Sequence, residues 1–322
     1  MNPIVACTAF ALAMACASTP SSPSARTLRS KPATGHIEVE GGRVWYRVHG
    51  NGERTPLLVL HGGPGIPHDY LANLALLGDE RPVVFYDQLG CGRSDRPEDE
   101  KLWTRERFVR ELDTVRAVLG LDEVVLFGHS WGSLLAVDAL AGRDGSPAHG
   151  VRGVVLAGPA LSVPRWIADA RRLIATLPEE HARAILDGEA TGKTDTDAFR
   201  AATNAYYRRY VCRLDPWPPE LDAAFAGMGL HVYATMNGPS EFTITGPLRN
   251  ADVTAELARL RQPTLFLCGE FDEATPETTR AYAALAPNAE VAVIAGAAHV
   301  SNYDRPEECM RVLRSWLERH GL

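Results

Sequence analysis

Ser130 lies in Gly128-His129-Ser130-Trp131-Gly132, directly behind the apolar run at 124–127. A serine hydroxyl attacks a carbonyl usefully only when a base takes its proton and an acid orients that base. The chain offers both, in order. Asp272 lies in Gly269-Glu270-Phe271-Asp272-Glu273, just past an apolar run at 264–268. His299 closes Gly296-Ala297-Ala298-His299, just past another run at 290–294. The G-x-S-x-G spacing marks a sharp strand-to-helix turn that exposes the serine hydroxyl. Side chains at 128 and 132 would collide with neighbouring backbone there, which accounts for the glycines. A helix starting behind Ser130 aims free N–H groups and a positive dipole end at a developing oxyanion. These residues predict acyl transfer through Ser130, His299 and Asp272.

His61-Gly62-Gly63-Pro64-Gly65 follows another apolar run, at 57–60, where a second oxyanion donor belongs. The backbone N–H groups of Gly63 and Trp131 are the expected pair. His61 is expected to pack beneath this loop, and His129 to be structural. Neither is expected to act as a base.

The elements that must position these groups are legible. The runs at 57–60, 83–86, 124–127, 151–156, 264–268 and 290–294 are continuously apolar, as strands buried on both faces are. A hairpin of alternating character at 36–49 precedes them. Thr104 opens a helix through about 119, with Phe108, Leu112, Val115 and Leu119 on one face. Strands alternating with helices predict an α/β fold with a doubly wound, mostly parallel sheet. The chain order Ser, Asp, His, each past a strand, is that of the α/β-hydrolase fold. Residues 160–252 carry apolar positions at helical spacing and no buried strand. They predict an inserted helical lid, with helices near 179–187, 197–212 and 219–227. The core is then 35–159 and 253–322.

A net charge of −7 argues against nucleic acid as a partner. The six cysteines include no C-x-x-C pair and no zinc spacing, so neither a metal nor a cofactor is expected. The apolar run at 4–16 is too short to span a bilayer comfortably and resembles a signal peptide. Ala13-Met14-Ala15-Cys16 resembles a bacterial lipobox. The expectation is therefore export, periplasmic or through a lipid anchor on Cys16, with a cytoplasmic chain as the alternative. Residues 18–34 are rich in Ser, Thr and Pro and are expected to form an unfolded tether, completing a leader and linker over 1–34.

Five segments together resemble the proline iminopeptidase (prolyl aminopeptidase) family of serine peptidases. They are His61-Gly62-Gly63-Pro64-Gly65, Asp87-Gln88-Leu89-Gly90-Cys91-Gly92-Arg93-Ser94, Gly128-His129-Ser130-Trp131-Gly132-Ser133, Gly238-Pro239-Ser240-Glu241-Phe242 and Gly269-Glu270-Phe271-Asp272-Glu273-Ala274-Thr275-Pro276. The resemblance spans roughly 36–320. It implies release of an N-terminal residue, proline or another small or apolar one, from a short peptide or amide. It also implies that Glu241 from the lid and Glu273 beside Asp272 hold the substrate's α-ammonium, with Tyr233 as a third contact. Desolvating that cation is costly unless carboxylates meet it. A carboxylesterase or lactonase is the alternative within the same fold, and such an enzyme has no use for the two glutamates. A catalytically silent scaffold fits poorly with a complete set of catalytic parts.

Overall fold

In this computed structural model, which describes residues 22–31, 33–145 and 147–322, the apolar runs pair into one sheet. Its strands are β1 (Thr34–Val39), β2 (Gly42–His49), β3 (Leu57–Leu60), β4 (Val83–Tyr86), β5 (Val124–His129), β6 (Val151–Ala157), β7 (Thr264–Gly269) and β8 (Ala289–Ile294). Their spatial order is β1-β2-β4-β3-β5-β6-β7-β8. The β1–β2 and β2–β4 pairs are antiparallel, and every pair from β4 to β8 is parallel. Residues alternate between the faces. Leu58, Leu60, Val84, Tyr86 and Leu126 enter one core, while Leu57, Val59, Val83, Phe85 and Phe127 enter the other. Both faces are thus buried, the reason these strands read as unbroken apolar runs.

The helices are α1 (Pro23–Leu28), α2 (Arg105–Leu119), α3 (Trp131–Ala141), α4 (Val163–Ile174), α5 (Glu179–Thr191), α6 (Asp197–Tyr210), α7 (Pro219–Ala226), α8 (Leu230–Met236), α9 (Pro276–Ala283), α10 (Ser301–Asp304) and α11 (Pro306–Arg319). Thr104 caps α2 by accepting the Arg107 N–H at 3.2 Å, and left-handed Gly120 ends it. In α3, residues 131–139 are all buried, so this helix packs on every side.

The insertion after β6 folds as α4 to α8 with one short 3₁₀ turn at Pro247–Asn250. Its ends are tied together where it leaves and rejoins the core. Val163 N–H donates to the Ala251 carbonyl and Val253 N–H to that of Leu161. The Ser162 hydroxyl donates to Asp252 Oδ2 at 2.8 Å. The insertion has a small core of its own, including Ile174, Ile185, Phe199, Tyr206 and Phe242. The helices expected within it appear as α5, α6 and α7.

The expected tether requires correction. Over residues 22–31 the chain is docked, not loose. Ala25 and Leu28 are buried, and the Ser24 hydroxyl accepts the Glu123 N–H at 2.9 Å. Ser22 N–H donates to the Glu53 carbonyl at 2.7 Å. Composition missed this because two apolar residues one turn apart suffice when a core offers them a socket. Pro23 at the first helical position was the available signal. The leader through residue 21, with Cys7 and Cys16, lies outside the described residues. The sequence reading also left unassigned the 3₁₀ turns of His68–Asp79 and helices α1, α8 and α9.

Candidate active site

Ser130 caps the turn between β5 and α3 with φ 56° and ψ −121°, the only non-glycine residue with positive φ among the described residues. Such strain survives only where its surroundings fix it. Here the Ser130 N–H donates to the Ala157 carbonyl at 2.9 Å. A Cβ at Gly128 would come within 2.3 Å of the Gly132 carbonyl oxygen, and one at Gly132 within 2.1 Å of that of Leu60. The elbow therefore tolerates no side chain on either flank. Gly132→Ala is expected to cost about 3 kcal/mol, read as a lower thermal midpoint and a lower soluble yield. An unchanged midpoint would show that the backbone can open here.

The loops that carry Asp272 and His299 follow β7 and β8. Asp272 Oδ1 lies 2.8 Å from His299 Nδ1 and accepts the Ala274 N–H at 2.8 Å, while Oδ2 accepts the Gly269 N–H at 3.2 Å. Three donors on one buried carboxylate fix both its plane and the imidazole it faces. The lid contributes as well. The Tyr210 carbonyl, at the end of α6, accepts the N–H groups of both Glu273 and His299, and the Val211 carbonyl accepts that of Val300. Ser130 and His299 line one cavity, with Asp272 buried behind.

Gly63 (φ 110°) and Trp131 line the same cavity, and no protein acceptor takes either backbone N–H among the described residues. Beneath them His61 accepts the Gln88 N–H on Nε2 at 2.9 Å, leaving Nδ1–H for the Gly62 carbonyl at 3.0 Å. Burial lowers its pKa to about 4, so it stays neutral. His129 ties the loop at Gly62 to the loop at His299. Tyr70 accepts the Gly62 N–H at 2.8 Å, so its own proton goes to His129 Nδ1 at 2.9 Å. That leaves His129 Nε2–H for the His299 carbonyl at 3.0 Å. Burial, with His299 close by, holds the pKa of His129 well below the ordinary range, as this neutral form requires. Both histidines are thus engaged in holding loops.

Glu273 and Glu241 line the cavity with Ser130, and so does Tyr233. Glu273 is almost fully buried, and its Oε2 has no hydrogen-bond partner among the described residues. Its Oε1 stands 3.9 Å from His299 Nε2. Burial first, then Glu241, then Asp272 push its pKa well above the carboxylate range, and burial raises that of Glu241 too. Two acids thus share one largely apolar chamber, one of them with an unpartnered oxygen.

Sequence reasoning missed what holds Glu241 in place. Glu189 on α5 is buried and paired with Arg171 at 2.8 Å. It accepts the Ser240 hydroxyl at 3.2 Å and that of Thr243 as well, bracketing Glu241 on both sides. No motif surrounds Glu189, and only the fold reveals the contact. Loss of a hydrogen bond to a charged group costs roughly 1.5–3 kcal/mol. Glu189→Ala is therefore expected to raise KM for free-amine substrates about tenfold, while KM for an uncharged ester stays put. Equal changes in both would make Glu189 a plain stability residue.

His68, Asp69 and Asp87 place ligand-type atoms within 4.8 Å of one another. Each is already engaged. His68 Nδ1 meets Asp87 at 2.7 Å, and Arg93 grips Asp69 through both terminal nitrogens at 3.0 Å. Cys91, Cys212, Cys268 and Cys309 are buried and free. Burial pushes the thiols of Cys212, Cys268 and Cys309 up to about 12.

Residues 55–306 match the family model of the alpha/beta hydrolase fold, so the chain is an α/β hydrolase. It is 42% identical over 285 residues to the proline iminopeptidase of Heyndrickxia coagulans, covering 88% of this chain and 98% of that one. Among solved structures it superposes on VinJ with a TM-score of 0.84 at 38% identity, covering 89% of this chain and 98% of VinJ. It superposes on the proline iminopeptidase of Mycobacterium smegmatis with a TM-score of 0.82 at 33% identity, with the same coverages. The chain belongs to the proline iminopeptidase family.

Proposed function

We propose that this chain is a serine aminopeptidase that releases N-terminal proline, or another small or apolar residue, through an acyl-enzyme. The observation that carries the reading is the pair of half-buried Glu241 and buried Glu273, both raised in pKa and facing the cavity of Ser130. An ammonium between them satisfies both, and it places the first carbonyl of the substrate at the serine. His299 takes the Ser130 proton as Oγ bonds to that carbonyl carbon, and the N–H groups of Gly63 and Trp131 hold the oxyanion. His299 then gives the proton to the leaving nitrogen as the C–N bond breaks. Water, deprotonated by His299, resolves the ester. Asp272 fixes the tautomer and stabilises the imidazolium.

The test uses proline p-nitroanilide, its N-acetyl derivative and p-nitrophenyl acetate. Cleavage of the free-amine anilide but not of the acetylated one is expected. Cleavage of the ester alone would move the protein to the esterase reading.

The apolar run ending at Cys16 supports export with a lipid anchor there. Incorporation of labelled palmitate into the full chain in a bacterial host, lost in Cys16→Ser, is the expected result. No label in either would remove the anchor.

A further inference from the structure

The cavity borrows its walls from both cores. Val163, Trp166 and Ile244 belong with the core on one face of the sheet, and Ile66, Leu221 and Phe225 with the core on the other. A scissile amide also carries two groups, the first residue on the carbonyl side and the leaving amine on the other. The α-ammonium occupies the acid pair. What remains for the leaving amine is a largely apolar wall, with the uncharged Asn237, Tyr70 and Tyr233 as its polar members, and the neighbourhood of an acid, because His299 Nε2, which must protonate the leaving nitrogen, stands 3.9 Å from Glu273 Oε1. The acidic and basic residues lining this chamber are Glu241, Glu273, His129 and His299, with no Lys or Arg among the described residues. His129 is locked neutral between Tyr70 and the His299 carbonyl.

A leaving amino acid with a free carboxylate would carry that charge two bonds from its nitrogen. The charge would enter a chamber where two carboxylates face a single ammonium, so that the net charge around it keeps the same sign, and it would lose its water to a largely apolar wall. We propose that the site is built for a neutral, apolar leaving amine, so that aminoacyl amides, aryl amides and C-terminally amidated dipeptides are its substrates in preference to free dipeptides. This rests on the aminopeptidase reading and narrows it to a substrate class. The bond changes are those of the parent reaction. Only the charge on the departing amine differs.

The experiment compares prolyl-alanine amide with prolyl-alanine, near-isosteres that differ by one charge, with proline p-nitroanilide as the common reference. At separations of roughly 5–6 Å, like charges at intermediate dielectric repel enough to weaken binding about tenfold or more. The full chain is expected to show kcat/KM at least about tenfold higher for the amide, carried mainly in KM. Binding of both dipeptides to Ser130→Ala by calorimetry removes the chemical step and is expected to show the same ratio in Kd. Equal or reversed values, with the anilide still cleaved, overturn the proposal and leave the aminopeptidase reading standing. Failure to cleave any free-amine substrate overturns both.

Discussion

Ser130→Ala is expected to lower kcat by about 10⁶-fold while the far-ultraviolet circular dichroism and thermal midpoint stay close to those of the parent. The size follows from the covalent step. Without Oγ no acyl-enzyme forms, and His299 has no proton to take. The fold should not notice, since the elbow is held by backbone. The Ser130 N–H is bound to Ala157, and the flanking glycines are pressed against the carbonyls of Gly132 and Leu60. Alanine inherits the same unfavourable φ and adds no clash. Asp272→Asn should fall short of this, by about 10⁴-fold, because serine and base remain but the imidazole loses its orienting charge. The measurement is single-turnover release of p-nitroaniline from proline p-nitroanilide, whose rate constant reports formation of the acyl-enzyme. A folded Ser130→Ala enzyme with parental activity would sink the nucleophile assignment.

The parts legible in the sequence were those written into local backbone demands. The elbow glycines, the loop at 61–65 and the post-strand positions of Asp272 and His299 each follow from one turn or one strand, so a short window carries the signal. The core strands were readable because both faces are buried, which leaves an unbroken apolar run. What could not be read depends on partners far along the chain. Glu189 reaches Ser240 and Thr243 from another helix. The Tyr210 carbonyl holds the loops of Glu273 and His299 from within the inserted helices. His129 was expected to be structural, but its role as a tie between Gly62 and His299 needed Tyr70, which no motif marks. Helix α1 was lost for a related reason. Its burial depends on a socket beside Glu123 and Glu53, which composition cannot see.

Glu273→Gln is expected to make the protein more stable at pH 8 while removing its aminopeptidase activity. The carboxylate is buried, Oε2 is unpartnered, and Glu241 is in the same chamber. Its folded pKa is raised, so between the unfolded value and the folded one the native state keeps a proton the unfolded chain has lost. Its contribution to stability is therefore full at acid pH and is lost as pH rises through the raised pKa. A neutral amide escapes that loss. Relief of one buried unsatisfied group is worth about 1 kcal/mol or more, a rise in thermal midpoint of about 2 °C or more. The gain should shrink as pH falls into the acid range, where folded and unfolded chains both hold the proton. Activity moves the other way. An ammonium that has lost one of its two carboxylates is left poorly compensated, and kcat/KM for proline p-nitroanilide should fall about 10²-fold or more, with p-nitrophenyl acetate hydrolysis little changed. In the Ser130→Ala background, prolinamide should raise the thermal midpoint, and adding Glu273→Gln should abolish that rise. On the proposed reading, a site that holds the substrate's cation carries this instability when empty. Were Glu273→Gln neutral for stability and for free-amine hydrolysis alike, the glutamate pair would be an incidental feature of the lid, and the esterase reading would regain its ground.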